Sequence, residues 1–259
     1  MKIAVLGAGA FGTALGGILA DKGYDIDYYD SKVEKERLSD VLKGSKAIVL
    51  AVPSVAAPFL LPYLPKTIPL IVATKGLLSD KYFEPFKKFA IISGPGYADD
   101  IKAGKQTKLT ATDEMVVDLF KTDYLDFDMT SDNKGVLLCG ALKNVYAILA
   151  GLENLKPGTK PHDEFLKKAS REMALVLDAN GADSKTVKLV CGEGDLKITC
   201  FYPSRNYEFG QKLRMNSNYQ PEKTVEGVSA LKKIKRGEII VPKEAAILVD
   251  LMQSSEKWA

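Results

Sequence analysis

The sequence predicts an α/β domain over residues 1–130, built on a largely parallel sheet, followed by an all-helical domain over residues 131–259. Three observations predict it. The chain opens on a short apolar run, Ile3 to Leu6, that passes directly into Gly7, Gly9 and Gly12 in the order G-x-G-x-x-G, the spacing of a strand, tight turn and helix. Apolar runs of strand length then alternate with helix-like stretches as far as Phe127, as a sheet built from βαβ units requires. From about Ser131 the alternation stops and long Ala/Leu-rich segments take over.

Each element has a local reason. Gly7 allows the tight turn, Gly9 removes a side chain where a pyrophosphate must approach the backbone, and Gly12 lets the helix pack on the strand. The first helical turn, with Ala10 and Phe11, would then turn free N–H groups toward phosphate, so the first domain reads as Rossmann-type. The helix covers 13–22, and Asp25–Tyr29 is a second strand ending at Asp30, 23 residues after Gly7. A carboxylate there can accept hydrogen bonds from an adenosine ribose and would repel an added phosphate, which favours NAD. Ser31 and Lys32 follow and suit a phosphate, so NADP is the alternative.

A polar helix is expected over 32–42 and an apolar strand over 47–52, closed by Pro53-Ser54. Pro58, Pro62 and Pro65 leave any helix over 56–66 short or broken. Residues 68–73 form the next buried strand, ending in Thr74-Lys75-Gly76, and Ile91-Ile92 lead into Ser93-Gly94-Pro95-Gly96. A strand over 108–111, a helix over 113–120 capped by Thr112, and a strand over 124–127 complete the sheet. Polar and Gly residues repeatedly begin where strands end, at the carboxyl edge where open α/β sheets bind ligands.

In the second half, 136–155 is a long helix that Asp132 or Asn133 can cap, and 165–179 is a second, closed by Asn180-Gly181. Shorter helices are expected over 184–190, 225–235 and 243–253, with 214–221 the most loop-like stretch. Lys143 and Asn144 interrupt the otherwise small and apolar run L-L-C-G-A-L-K-N-V-Y-A-I-L-A-G. Such a lysine either snorkels to the surface or points its amine into a cleft. Asp195, Thr199, Ser204, Arg205 and Asn206 place a carboxylate, two hydroxyls, a guanidinium and an amide within twelve residues. That set can grip a phosphorylated polyol; the alternative is a capped helix beside a solvated patch. His162, the one histidine, reads as a capping or surface residue without a catalytic role.

Composition sets the remaining bounds. Residues 1–130 carry 16 Lys+Arg against 17 Asp+Glu and residues 131–259 carry 20 against 16, for a net charge of +3. A mildly basic second half suits an anionic metabolite and is too weak and too mixed for nucleic acid. Cys139, Cys191 and Cys200 lack metal-ligand spacing and read as reduced thiols of a cytoplasmic protein; no cluster suggests a metal. The apolar start reads as a strand and not a leader, and no apolar run is judged to approach the roughly 20 residues of a membrane span.

With these motifs in hand, the chain resembles the NAD(P)-dependent glycerol-3-phosphate dehydrogenase family. The likeness runs through GAGAFGTA, AVPS (51–54), ATKGL (73–77), GPGYADD (94–100), GALKNVYAILAG (140–151), GDLKITC (194–200), SRN (204–206) and VEG (225–227), in that order over nearly the whole chain. The resemblance implies that Lys143 is the catalytic proton donor and acceptor and that Lys75 contacts both ligands. It places Asp195, Thr199, Ser204, Arg205 and Asn206 around glycerol phosphate, with Arg205 also near the cofactor. Gly94 and Gly96 then lie by the substrate, and Ala98, Asn144 and Glu226 by the nucleotide. The chain departs from the family in a shorter passage from Asp30 to AVPS, in Leu137 where a glutamate is usual, in Lys168-Ala169 for an R-G pair, and in a loop cut to residues 154–163. It is expected to be a compact, divergent member that supplies glycerol phosphate for phospholipid synthesis, with a homodimer as one arrangement.

The chemistry is legible beside the name. Interconverting a secondary alcohol and a ketone needs a carbon held against a nicotinamide and a group that takes or returns the hydroxyl proton. Lys143 can do either. A lysine of ordinary pKa, about 10.4, is too weakly deprotonated at neutral pH, so a neighbouring cation such as Lys75 and partial desolvation are expected to assist. Asp195 would orient the lysine or hold hydroxyls, and Arg205 with Ser204 and Asn206 would take the phosphate. The alternatives are a related two-domain dehydrogenase for another small hydroxy or oxo acid, and a nucleotide-binding protein without catalysis.

Overall fold

The computed structural model describes residues 1–30, 35–74, 76, 80–201 and 204–255. It divides into two compact units, Met1–Asn133 and Lys134–Ala259.

The first unit is a seven-stranded sheet in the order β2-β1-β3-β4-β5-β6-β7. The strands are β1 (Lys2–Leu6), β2 (Asp25–Tyr29), β3 (Ala47–Leu50), β4 (Leu70–Val72), β5 (Phe89–Ser93), β6 (Thr107–Ala111) and β7 (Leu125–Met129). All neighbours pair in parallel except β5 with β6. Among the described residues, five α-helices join them: α1 (Ala10–Asp21), α2 (Lys35–Leu42), α3 (Ala57–Leu60), α4 (Ala98–Lys102) and α5 (Glu114–Phe120). Ile3, Val5, Val49 and Ile71 point to one face, where they pack with Leu15, Leu19, Ile101 and Phe120 of the helices. Successive residues alternate faces, and Ala4, Leu6, Ile48 and Leu50 of the other face are equally buried. These strands therefore read as continuous apolar runs. Because the chain crosses from β2 past β1 to β3, the switch in strand order falls beside β1 and its Gly turn, at the carboxyl edge.

One local expectation is corrected. The cap of α5 is Asp113, which accepts from the Met115 N–H at 2.8 Å, while the Thr112 hydroxyl accepts from the Ile91 N–H at 2.8 Å. A carboxylate one residue later matches the open N–H groups better, and the sheet takes the hydroxyl. The short α4 was not anticipated.

The second unit is helical: α6 (Asn133–Leu152), α7 (Lys160–Ala179), α8 (Asp195–Thr199), α9 (Arg205–Met215), α10 (Glu226–Lys235) and α11 (Ala246–Ser254). A 3-10 turn (Ser184–Lys188) and a π-helical turn (Val190–Gly194) precede α8. The second helix begins at Lys160 and not Phe165, because Pro161 sits in its first turn, where the missing N–H is not needed. α9 was unforeseen, since RNYEFGQKLRM is largely polar; it packs through Phe209 and Leu213 against Ile148 and Val225.

The expectation that no apolar run reaches membrane length also fails. α6 has 20 residues, and an 18-residue window within it has a mean hydropathy of 1.7, enough to cross a bilayer by length and composition, yet 89% of that window is buried inside the protein. It is apolar all round because it is enclosed on all sides.

Candidate active site

α6 carries the lysine at its middle. Lys143 is 3% exposed, so it does not snorkel, and its amine donates to Oδ2 of Asp195, itself 1% exposed. Two opposite charges removed from water stabilise one another only as a pair. Asp195 opens α8, and one turn later the Thr199 hydroxyl donates to its Oδ1 at 3.3 Å. The Cys200 thiol, next along the chain, has its pKa pushed up by burial and is no thiolate. The turn that delivers Asp195 is tight: a Cβ at Gly192 would strike the Val187 carbonyl.

A second set of contacts ties α6 to α9 and α10. Asn144 Nδ2 donates to Gly140 O at 2.9 Å, Asn206 Nδ2 donates to Asn144 Oδ1 at 2.8 Å, and the Gly227 N–H donates to Asn206 Oδ1 at 3.0 Å. Asn144, Asn206 and the Glu226-Gly227 start of α10 thus come together, and Asn206 serves this network. Ser204 is the N-cap residue of α9 without a side-chain cap bond, and Arg205, the first helical residue, is exposed. Arg205 borders a cavity shared with Phe209, Lys212, Tyr219, Glu222 and Lys223.

In the first unit, Gly7 has φ +106° and a Cβ there would meet the Ala51 carbonyl oxygen at 2.7 Å. A Cβ at Gly12 would run into the Gly7 carbonyl, whereas one at Gly9 meets nothing within 4 Å. No side chain caps α1. The open space at Gly9 and the start of α1, whose N-cap Gly9 supplies no side-chain cap, fit a dinucleotide pyrophosphate. The Gly7 N–H donates to Tyr29 O at 2.7 Å, which sets Asp30, half-buried, at the same corner. Gly94 and Gly96 follow β5, where the Gly96 N–H donates to Gly94 O at 2.8 Å, and Ala98 begins α4. Lys75, Ser31 and Lys32 lie outside the described residues.

Two buried polar residues escaped the sequence reading. His162 is 3% exposed, which corrects its assignment as a capping or surface residue; Nε2 lies 3.1 Å from Cys200 O. Glu172 accepts from Tyr146 Oη at 3.1 Å and from the Ile247 and Leu248 N–H groups at 2.8 and 3.3 Å. Burial raises the Glu172 pKa, and burial together with the Glu172 charge raises that of Tyr146. The signal was available: 162, 165, 169, 172 and 176 recur at helical spacing, so both lie on the buried stripe of α7. Of the departures, Leu137 and Ala169 are buried and Lys168 is exposed.

The family model described as "NAD-dependent glycerol-3-phosphate dehydrogenase C-terminus" matches residues 132–245. The chain is 32% identical to the glycerol-3-phosphate dehydrogenase [NAD(P)+] of Leptospira biflexa, over 82% of this chain and 79% of that protein. It is 30% identical to the enzyme of the same name from Maridesulfovibrio salexigens, over 90% of this chain and 87% of that one. In fold it is similar to the crystal structure of glycerol-3-phosphate dehydrogenase from Coxiella burnetii, with a TM-score of 0.78, 21% identity, and coverage of 99% and 95% of the two chains.

Proposed function

This chain belongs to the NAD(P)-dependent glycerol-3-phosphate dehydrogenase family, and from that premise we propose that Lys143 and Asp195 carry the proton transfer by which it interconverts sn-glycerol 3-phosphate and dihydroxyacetone phosphate. The chain is accordingly an NAD(P)-dependent oxidoreductase. The single observation that carries the reading is the buried contact between the Lys143 amine and the Asp195 carboxylate.

In reduction the Lys143 ammonium donates a proton to the carbonyl oxygen; in oxidation its amine takes the hydroxyl proton. Asp195 aims the amine, and Thr199 fixes the carboxylate. The nicotinamide, when bound, supplies or accepts the hydride. Gly7, Gly9, Ala10, Phe11 and Gly12 would hold its pyrophosphate and Asp30 its adenosine ribose, with NAD preferred to NADP. Arg205, with Ser204 and the open first turn of α9, would take the substrate phosphate through charge-assisted hydrogen bonds. Asn206 contributes by holding Asn144 and Gly227 in place. Lys75 is assigned to both ligands, Gly94 and Gly96 to the substrate, and Ala98, Asn144 and Glu226 to the nucleotide, on the family resemblance. On the same ground the enzyme is read as cytoplasmic and as a source of glycerol phosphate for phospholipids.

The test follows NADH absorbance with purified protein. Dihydroxyacetone phosphate should be reduced and unphosphorylated dihydroxyacetone should not; equal turnover of the two, or turnover of neither, refutes the reading.

A further inference from the structure

The segment that carries Asp195 is attached at both ends to a single helix. Before it, Glu193 Oε1 accepts from Ser170 Oγ at 2.6 Å and from Lys188 Nζ at 2.6 Å. After it, the Cys200 carbonyl faces His162 Nε2. Ser170 and His162 both belong to α7 and both are buried. They are eight residues apart, while Glu193 and Cys200 are seven apart in the opposite direction. At about 1.5 Å per helical residue the two spans are about 12 Å and 10.5 Å, so the segment runs antiparallel along α7 with both attachments in register.

The chemistry of the attachments is specific. A carbonyl only accepts, so His162 carries its proton on Nε2, and its buried Nδ1 has no hydrogen-bond partner among the described residues, the Asp163 carboxylate lying 3.9 Å away, beyond hydrogen-bond reach. An apolar residue would fill that place without an orphaned nitrogen, so the bond to Cys200 is the use of a histidine there. Asp195 itself sits on a five-residue helix, too short to hold its own position. The same α7 also grips the helix of the lysine, through Glu172 and Tyr146, one turn beyond Lys143.

We infer that His162, and Ser170 acting through Glu193, are positioning residues that hold Asp195 against the Lys143 amine for proton transfer. The inference rests on the proposed role of Lys143.

The experiment compares wild type with Ser170→Ala, Ser170→Thr, His162→Leu and His162→Gln, measuring kcat with dihydroxyacetone phosphate, the Kd of NADH by fluorescence, and thermal stability. Misplacing reacting groups by about 1 Å costs up to about 100-fold, so Ser170→Ala and His162→Leu should each lower kcat about tenfold with the Kd of NADH unchanged. Ser170→Thr and His162→Gln keep the hydroxyl and the ε-nitrogen donor and should recover most of that loss. Unchanged kcat in both disabling variants overturns the inference. So does failure of both conservative variants to recover, which assigns the effect to packing. If His162→Leu does not fold, the Ser170 pair decides alone, since Ser170→Ala deletes one oxygen. A wild-type enzyme without turnover refutes the proposed function instead, and is seen before any variant is made.

Discussion

Replacing Lys143 by Met would remove the amine and leave the Asp195 carboxylate, 1% exposed, with the Thr199 hydroxyl as its remaining side-chain partner among the described residues. Breaking one side of a buried ion pair costs about 3–5 kcal/mol. At about 2–4 °C per kcal/mol, the melting temperature should fall by roughly 6–20 °C. Lost turnover in that variant alone would therefore not separate proton transfer from folding. A double-mutant cycle with Asp195→Asn does, because the pair Met and Asn carries no buried charge. The double variant should regain most of the lost stability, with a coupling of about 2–3 kcal/mol, while reduction of dihydroxyacetone phosphate stays at least about 100-fold below wild type. Calorimetry and NADH absorbance read the two quantities. Turnover that returns with stability would refute the role of Lys143, and independent, additive stability losses would refute the buried pair.

Three further outcomes are expected. Arg205→Ala should lose about 2–5 kcal/mol of transition-state stabilisation with the phosphorylated substrate; an equal loss of NADH affinity would assign Arg205 to the cofactor instead. Asp30→Ala should lower the ratio of kcat/KM for NADH over NADPH, and an unchanged ratio would mean that Asp30 does not read the ribose. Glu172→Gln sets an amide against the Tyr146, Ile247 and Leu248 donors and should cost about 1–3 kcal/mol in urea unfolding. Because burial raises the folded pKa of Glu172 above the ordinary glutamate value of 4.5, the folded state holds that proton longer, and wild-type stability falls as pH rises from about 4.5 to that raised value. The cost of Glu172→Gln should thus be larger at pH 4 than at pH 7, and a cost independent of pH would argue against a raised Glu172.

The sequence disclosed what depends on local spacing. Ile3 to Gly12 announces its strand, turn and helix because each glycine answers a nearby steric demand, and Lys143 stands out because its neighbours are apolar. Partners distant in sequence were less legible. Asp195 is 52 residues from Lys143, Cys200 is 38 from His162, and the Ile247 N–H is 75 from Glu172. Helical periodicity tells that His162 and Glu172 face inward and says nothing of what meets them there. α9 was missed for the opposite reason: its buried Tyr207, Phe209 and Leu213 are spread too thinly among charges to mark an apolar face.

The enclosed helix α6 has a consequence for how the chain is made. While it emerges from the ribosome, before anything has closed around it, a helix of that length and hydropathy offers an insertion machinery a membrane anchor. Lys143 lies near the midpoint, where a lysine raises the free energy of insertion by about 2.5–3.5 kcal/mol; Lys134, near one end, can reach the lipid headgroups. On the proposed function, one amine would answer two demands, proton transfer in the finished enzyme and exclusion from the bilayer in the nascent one. Translated with microsomes, a fragment covering α6 should stay in the aqueous phase with Lys143 and pass into the membrane with Lys143→Leu; equal partitioning of the two would show that the lysine plays no part in that choice.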